Sequence, residues 1–121
     1  MTTHTVLIVD DDQLSLEIVT DLLREHCNIV TADDGQECLD IARNILPDLI
    51  LLDIHMLGMT GNEACRQLKG TPRTASIPVI FISSEDHNTQ IKLVKAVGAN
   101  DCMQKPLDAD ALLDKVSRYL L

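Results

Sequence analysis

The chain has 121 residues, room for one domain, and at that length it should bury about two-thirds of its unfolded surface. Ten Lys and Arg face nineteen Asp and Glu, giving a formal charge of −9. That charge argues against direct nucleic-acid binding, which rests on cationic contacts to phosphates, and with one Phe, one Tyr and no Trp no stacking platform is on offer either.

The apolar fraction of 45% is ordinary for a folded domain. No run approaches the roughly 20 apolar residues that cross a bilayer, and the N-terminus lacks a signal-peptide pattern, so no membrane association is expected and the expected location is cytoplasmic. The cysteines at 27, 38, 65 and 102 form no CxxC pair. They read as reduced core or helix-face thiols rather than a metal or disulfide framework.

Along the chain, the first apolar run, Thr5–Val9, predicts a strand, and apolar residues at 14, 18, 19, 22 and 23 predict a helix over Gln13–His26. A second strand follows at Asn28–Ala32 and a helix over Gly35–Leu46. The third strand, Asp48–Leu52, precedes a short helix at Asn62–Lys69, which Thr60-Gly61-Asn62-Glu63 opens as a capping box. Ile77–Ile82 is the fourth strand, followed by a helix over His87–Val97 that Gly98 closes. Asp101–Gln104 is the weakest strand, and a last helix covers Asp108–Leu120. Asp12, Asp86 and Asp108 have the chemistry of N-caps. Five strands alternating with five helices predict a doubly wound α/β fold, with a parallel sheet covered on both faces. Such folds bind ligands at the carboxyl ends of their strands.

Those ends are polar. The first strand runs into Asp10-Asp11-Asp12, the third into Asp53, the fourth into Ser83-Ser84 and the fifth into Lys105-Pro106. Converging carboxylates repel unless a cation intervenes, and all-oxygen donors suit Mg²⁺. With Ser83 as a hydroxyl, Lys105 as an ammonium and Asp53 as a nucleophile, the rim has the parts needed to hold and accept a phosphoryl group.

Four segments carry a family resemblance: VLIVDDD at 6–12, PDLILLDIHMLGMTG at 47–61, PVIFISS at 78–84 and GANDCMQKP at 98–106. With them the whole chain resembles the receiver domain of bacterial two-component response regulators, as a single domain over 1–121. The resemblance implies a flavodoxin-like (βα)₅ fold with sheet order 2-1-3-4-5 and a phosphoacceptor at Asp53. It implies a Mg²⁺ site of Asp10, Asp11, Asp53 and the backbone carbonyl of His55. Ser83 and Lys105 would contact the phosphoryl oxygens, and the Lys105–Pro106 bond matches a position that is usually cis. The partners implied are a sensor histidine kinase or phosphotransfer protein as donor, and an effector domain or downstream protein on the face of the fourth helix, fifth strand and fifth helix. The resemblance also allows a phosphorylation-dependent homodimer. It implies no conventional enzyme, only catalysis of the domain's own phosphorylation and dephosphorylation.

The chain departs from the family pattern at three places. Cys102 stands where the family usually has an aromatic residue that swaps rotamers during switching. Leu57 replaces a common proline, and Thr60 a frequent Asp. His55 and Glu85 stand two residues beyond Asp53 and Ser83, at positions that in the family flank the path of the attacking water, so the resemblance implies that they modulate phosphoryl lifetime. Two other readings remain: a receiver that signals through contacts without phosphorylation, and a Mg²⁺-dependent phosphohydrolase with an aspartyl nucleophile. The second normally needs an acid where this chain has His55.

Overall fold

In a computed structural model that describes residues 3–120, strand and helix alternate in strict succession. The elements are β1 (Thr5–Val9), α1 (Gln13–Leu23), β2 (Asn28–Ala32), α2 (Gly35–Ile45), β3 (Leu49–Asp53), α3 (Gly61–Gly70), β4 (Val79–Ser83), α4 (His87–Val97), β5 (Asp101–Gln104) and α5 (Ala109–Leu120). The strands are all parallel and lie in the order β2-β1-β3-β4-β5, as expected from the sequence.

Alternation along each strand divides the core in two. Leu7, Val9, Ile50, Leu52, Val79, Phe81 and Cys102 pack against α2, α3 and α4. Val6, Ile8, Leu49, Leu51, Ile80 and Ile82 pack on the opposite face against Leu16, Val19 and Leu23 of α1 and Leu112 and Val116 of α5. Because both faces are covered, β3 and β4 are buried at every position, which explains why their sequences read as unbroken apolar runs. All four cysteines are free and buried. Among the described residues no helix is long and apolar enough to cross a membrane.

Caps set the helix starts. The side chains of Asp12, Thr60 and Asp86 each accept from the backbone amide three residues on, as the sequence predicts. Asp34 does the same for α2 without having been anticipated. The capping box at Thr60 forms only by half: Glu63 turns instead to Gln67 Nε2 at 3.2 Å, its neighbour one turn along.

Six elements, α1, α2, β3, α3, β4 and α5, are bounded one to three residues differently from the sequence reading, and three of these shifts have a visible cause. Helix α1 stops at Leu23, because the amides of His26 and Cys27 both fold back on the Leu23 carbonyl. Helix α2 ends at Ile45, one residue short of the expected Leu46, which is held at φ 49°; the following Pro47 disfavours another helical residue there. Strand β3 is shifted by one residue, to end on Asp53 itself. Asp48 instead clamps the entry of β1, its carboxylate 2.8 Å from the Thr5 amide.

Candidate functional site

Register puts the polar strand ends side by side. Val9 pairs with Leu52 across β1 and β3, so the next residues, Asp10 and Asp53, leave the sheet level with each other. These two strands flank the point where the winding direction reverses. Across β4, Asp53 pairs with Ile82, and Ser83 pairs with Gln104 of β5, bringing Lys105 to the same rim.

The three carboxylates of Asp10, Asp11 and Asp53 each offer an oxygen, all lying within 4.8 Å of one another. Each is steered by a backbone amide: Asp12 N–H donates to Asp10 Oδ1 at 3.0 Å, Leu57 N–H to Asp11 Oδ2 at 3.1 Å and His55 N–H to Asp53 Oδ1 at 3.3 Å. Asp10 and Asp53 are buried and Asp11 is exposed, so the cluster opens to solvent on the Asp11 side.

Burial and the charge of Asp10 push the pKa of Asp53 up to about 6 against the pull of Lys105. Lys105 Nζ donates to Asp10 Oδ2 at 2.8 Å and approaches Ser15 Oγ at 3.5 Å. Burial disfavours its charge, but the bond to Asp10 and the charges of Asp53, Asp10 and Asp12 outweigh this and hold its pKa above the usual lysine range. The peptide bond from Lys105 to Pro106 is cis.

Ser83 is buried at the end of β4, its hydroxyl accepting the Glu85 amide at 3.2 Å. Beyond it, His55 Nε2 meets Glu85 Oε1 at 2.7 Å, joining the loops that follow β3 and β4 across the mouth of the site. Gly61 closes the site from below: its amide donates to the Ile54 carbonyl, and a Cβ at this position would lie 2.2 Å from the Asp53 carbonyl oxygen.

Asp10, Asp11, Asp53 and Lys105 thus form one cluster, with Ser83 on the next strand end and His55 paired to Glu85. Cys102 lies apart, buried in the core under α4. Two neighbours were missed by sequence reasoning. Ser15 binds Asp12 Oδ2 at 2.8 Å besides facing Lys105; its place three residues after a capping Asp was the available signal. Gln90 is fully buried behind Ser83. It lies four residues before Val94 and seven before Val97, on the apolar stripe of α4, which marks it as inward-facing.

Three oxygens from carboxylates, with no sulfur or imidazole among them, match a hard divalent cation such as Mg²⁺. The exposed apolar residues Leu14, Ile18 and Leu57 come from the start of α1 and from the loop whose amide holds Asp11.

The family model of the response regulator receiver domain matches residues 6–117. The chain is 35% identical over 116 residues to Protein PilH of Pseudomonas aeruginosa, covering 95% of this chain and 96% of PilH. It is 38% identical over 113 residues to Response regulator PleD of Caulobacter vibrioides, covering 92% of this chain but only 25% of PleD. Among solved structures, the chemotaxis response regulator CheY4 of Vibrio cholerae superposes with a TM-score of 0.91 at 30% identity, over 98% of this chain and 100% of that one. The chain belongs to the family of response regulator receiver domains.

Proposed function

We propose that the chain, as a single receiver domain over residues 1–121, accepts a phosphoryl group on Asp53. The donor is a phosphohistidine of a sensor histidine kinase or phosphotransfer protein. An Asp53 carboxylate oxygen forms the new P–O bond while the P–N bond breaks, and the departing imidazole takes up a proton. The observation that carries this reading is the level register of β1 and β3, which gathers Asp10, Asp11 and Asp53 into a carboxylate cluster with Lys105 beside it.

Asp10, Asp11, Asp53 and the His55 backbone carbonyl would hold Mg²⁺. The ion supplies positive charge for the equatorial phosphoryl oxygens and offsets the repulsion among the carboxylates. Lys105 is poised to leave Asp10 for a phosphoryl oxygen, and the Ser83 hydroxyl to donate to another. The His55–Glu85 contact, which joins the loops after β3 and β4, would modulate the lifetime of the acyl phosphate. Leu14, Ile18 and Leu57 give a donor protein apolar surface beside an acidic rim.

Output runs through the α4–β5–α5 face to an effector domain, a downstream protein or a second copy of the chain. On this reading the chain is a cytoplasmic signalling domain that catalyses only its own phosphorylation and dephosphorylation.

The test is intact mass after incubation with Mg²⁺ and acetyl phosphate. One added phosphoryl group is expected, absent from Asp53→Asn and absent with EDTA. A gain that persists in Asp53→Asn moves the acceptor elsewhere, and no gain under any condition favours a module that signals by contact alone.

A further inference from the structure

Gln90 is 0% exposed and reaches inward from the first turn of α4. Its Nε2 lies 3.2 Å from the Ser83 carbonyl, 3.0 Å from the Glu85 carbonyl and 3.0 Å from the Met103 carbonyl. A carboxamide carries two N–H bonds, so three carbonyls share two protons. The other end of the same amide, Oε1, is buried without a hydrogen-bond partner. The three carbonyls fix its orientation, because turning the amide over would set Oε1 against all of them. Burial of an unmatched acceptor is costly, and a plain helix residue has no need of it.

The three carbonyls belong to two separate pieces of the fold. Ser83 and Glu85 bracket the turn after β4, where the Ser83 hydroxyl holds the Glu85 amide. The Ser83 carbonyl also receives the amide of Lys105 at 2.8 Å. Met103 belongs to β5, whose backbone is tied to α5 by Lys115 Nζ, 3.3 Å from the Cys102 carbonyl and 2.9 Å from Asp101 Oδ1. A shift of the 83–85 turn redistributes the two protons and so changes the bond to Met103.

We propose that Gln90 is the positioning residue that couples the Ser83–Glu85 turn to the α4–β5–α5 face, its single buried amide joining that turn to Met103. This rests on Asp53 being the phosphoacceptor and names the regulation of that site: a phosphoryl group that draws the Ser83 hydroxyl moves the turn, and Gln90 passes the movement to β5. The coupling is carried by a contiguous hydrogen-bonded link from the turn to β5, and it requires no large side chain at position 102.

The test compares wild type with Gln90→Met, which fills similar volume but has no N–H to give. Both are treated with Mg²⁺ and acetyl phosphate, followed by intact mass and by backbone amide NMR. The variant is expected to reach the wild-type phosphoryl stoichiometry while the phosphorylation-dependent shifts of Cys102, Met103 and Lys115 fall by at least half. A residue that only supports the fold would lower the melting temperature and leave those shifts intact; that result overturns the proposal. Should the variant not fold, the side-chain amide resonances of Gln90 in the wild type decide. They are expected to move on phosphorylation, and unmoved resonances overturn the coupling. No mass gain in the wild type instead removes the phosphoacceptor reading, and the coupling with it.

Discussion

Lys105 Nζ is bonded to Asp10 Oδ2 at 2.8 Å, with the Asp10 side chain 7% and that of Lys105 26% exposed. The ammonium is therefore engaged by a carboxylate of the acidic cluster. Removing one partner of a buried pair strands the other charge, at a cost of about 3–5 kcal/mol when both are fully buried. Because Lys105 is partly solvated, Lys105→Ala is expected to destabilise by about 2 kcal/mol in metal-free urea denaturation. Mg²⁺ should recover part of the loss by neutralising Asp10, whereas phosphoryl uptake from acetyl phosphate should remain at least tenfold slower than wild type. An unchanged denaturation midpoint would mean that the pair contributes no stability.

Crowding of carboxylates predicts the reverse effect at Asp53. Its raised pKa, about 6, means that burial and Asp10 disfavour the ionised form in the fold. Asp53→Asn removes that charge with little change in shape and is expected to stabilise the metal-free protein at neutral pH, on the order of 1–2 kcal/mol. Binding to the folded state should make the wild-type melting temperature climb with Mg²⁺ concentration, while the variant responds weakly. Calorimetry with and without EDTA measures both. Equal Mg²⁺ responses in the two proteins would exclude Asp53 from the metal site.

The fold was legible because its signals are local. The apolar runs of β1, β3 and β4, the caps at Asp12, Thr60 and Asp86, and Gly98 at the end of α4 each declare themselves within a few residues. The polar strand ends were legible for the same reason, since Asp10 and Lys105 directly follow their strands and Asp53 and Ser83 end theirs. What could not be read is set by contacts distant in sequence. That Lys105 meets Asp10 depends on two strands 95 residues apart along the chain. The apolar stripe of α4 marks Gln90 only as inward-facing, and it is the carbonyls of Ser83, Glu85 and Met103 that make it a buried link. The one-residue shift of β3 likewise follows from Asp48 being taken up at the entry of β1.

Gly61 and Gly70 bound α3 and make a matched pair of predictions. A Cβ on Gly61 would lie 2.2 Å from the Asp53 carbonyl oxygen and 2.8 Å from Ile54 Cα, both rigid backbone atoms, whereas a Cβ on Gly70 would meet nothing within 4 Å. Gly61→Ala must push the start of α3 away from β3. It is expected to cost more than about 2 kcal/mol and to slow phosphoryl uptake by displacing Asp53. Gly70→Ala should be neutral or stabilise by roughly 0.5 kcal/mol through the unfolded chain. Chemical denaturation of the two variants side by side checks the contrast, and similar losses in both would refute the close approach of α3 to Asp53.

Where β5 meets α5, Asp101 takes bonds from Lys115 Nζ at 2.9 Å, from the Cys102 amide at 2.8 Å and from the Tyr119 hydroxyl at 3.1 Å. Burial alone would raise its pKa, but these three donors and the Lys115 charge outweigh it and hold the carboxyl below its ordinary 3.8. A depressed acid stabilises the fold above its unfolded pKa, and that contribution is lost as pH falls through the folded value. Asp101→Asn is therefore expected to be less stable than wild type by about 1 kcal/mol at neutral pH. The gap should narrow as pH drops below 3.8 and the wild-type carboxyl gains its proton. Added salt should narrow it at neutral pH as well, since the Lys115–Asp101 pair is partly exposed. Urea midpoints of the two proteins across this range provide the measurement, and a gap independent of pH would assign the loss to hydrogen bonding alone rather than to the charge on Asp101.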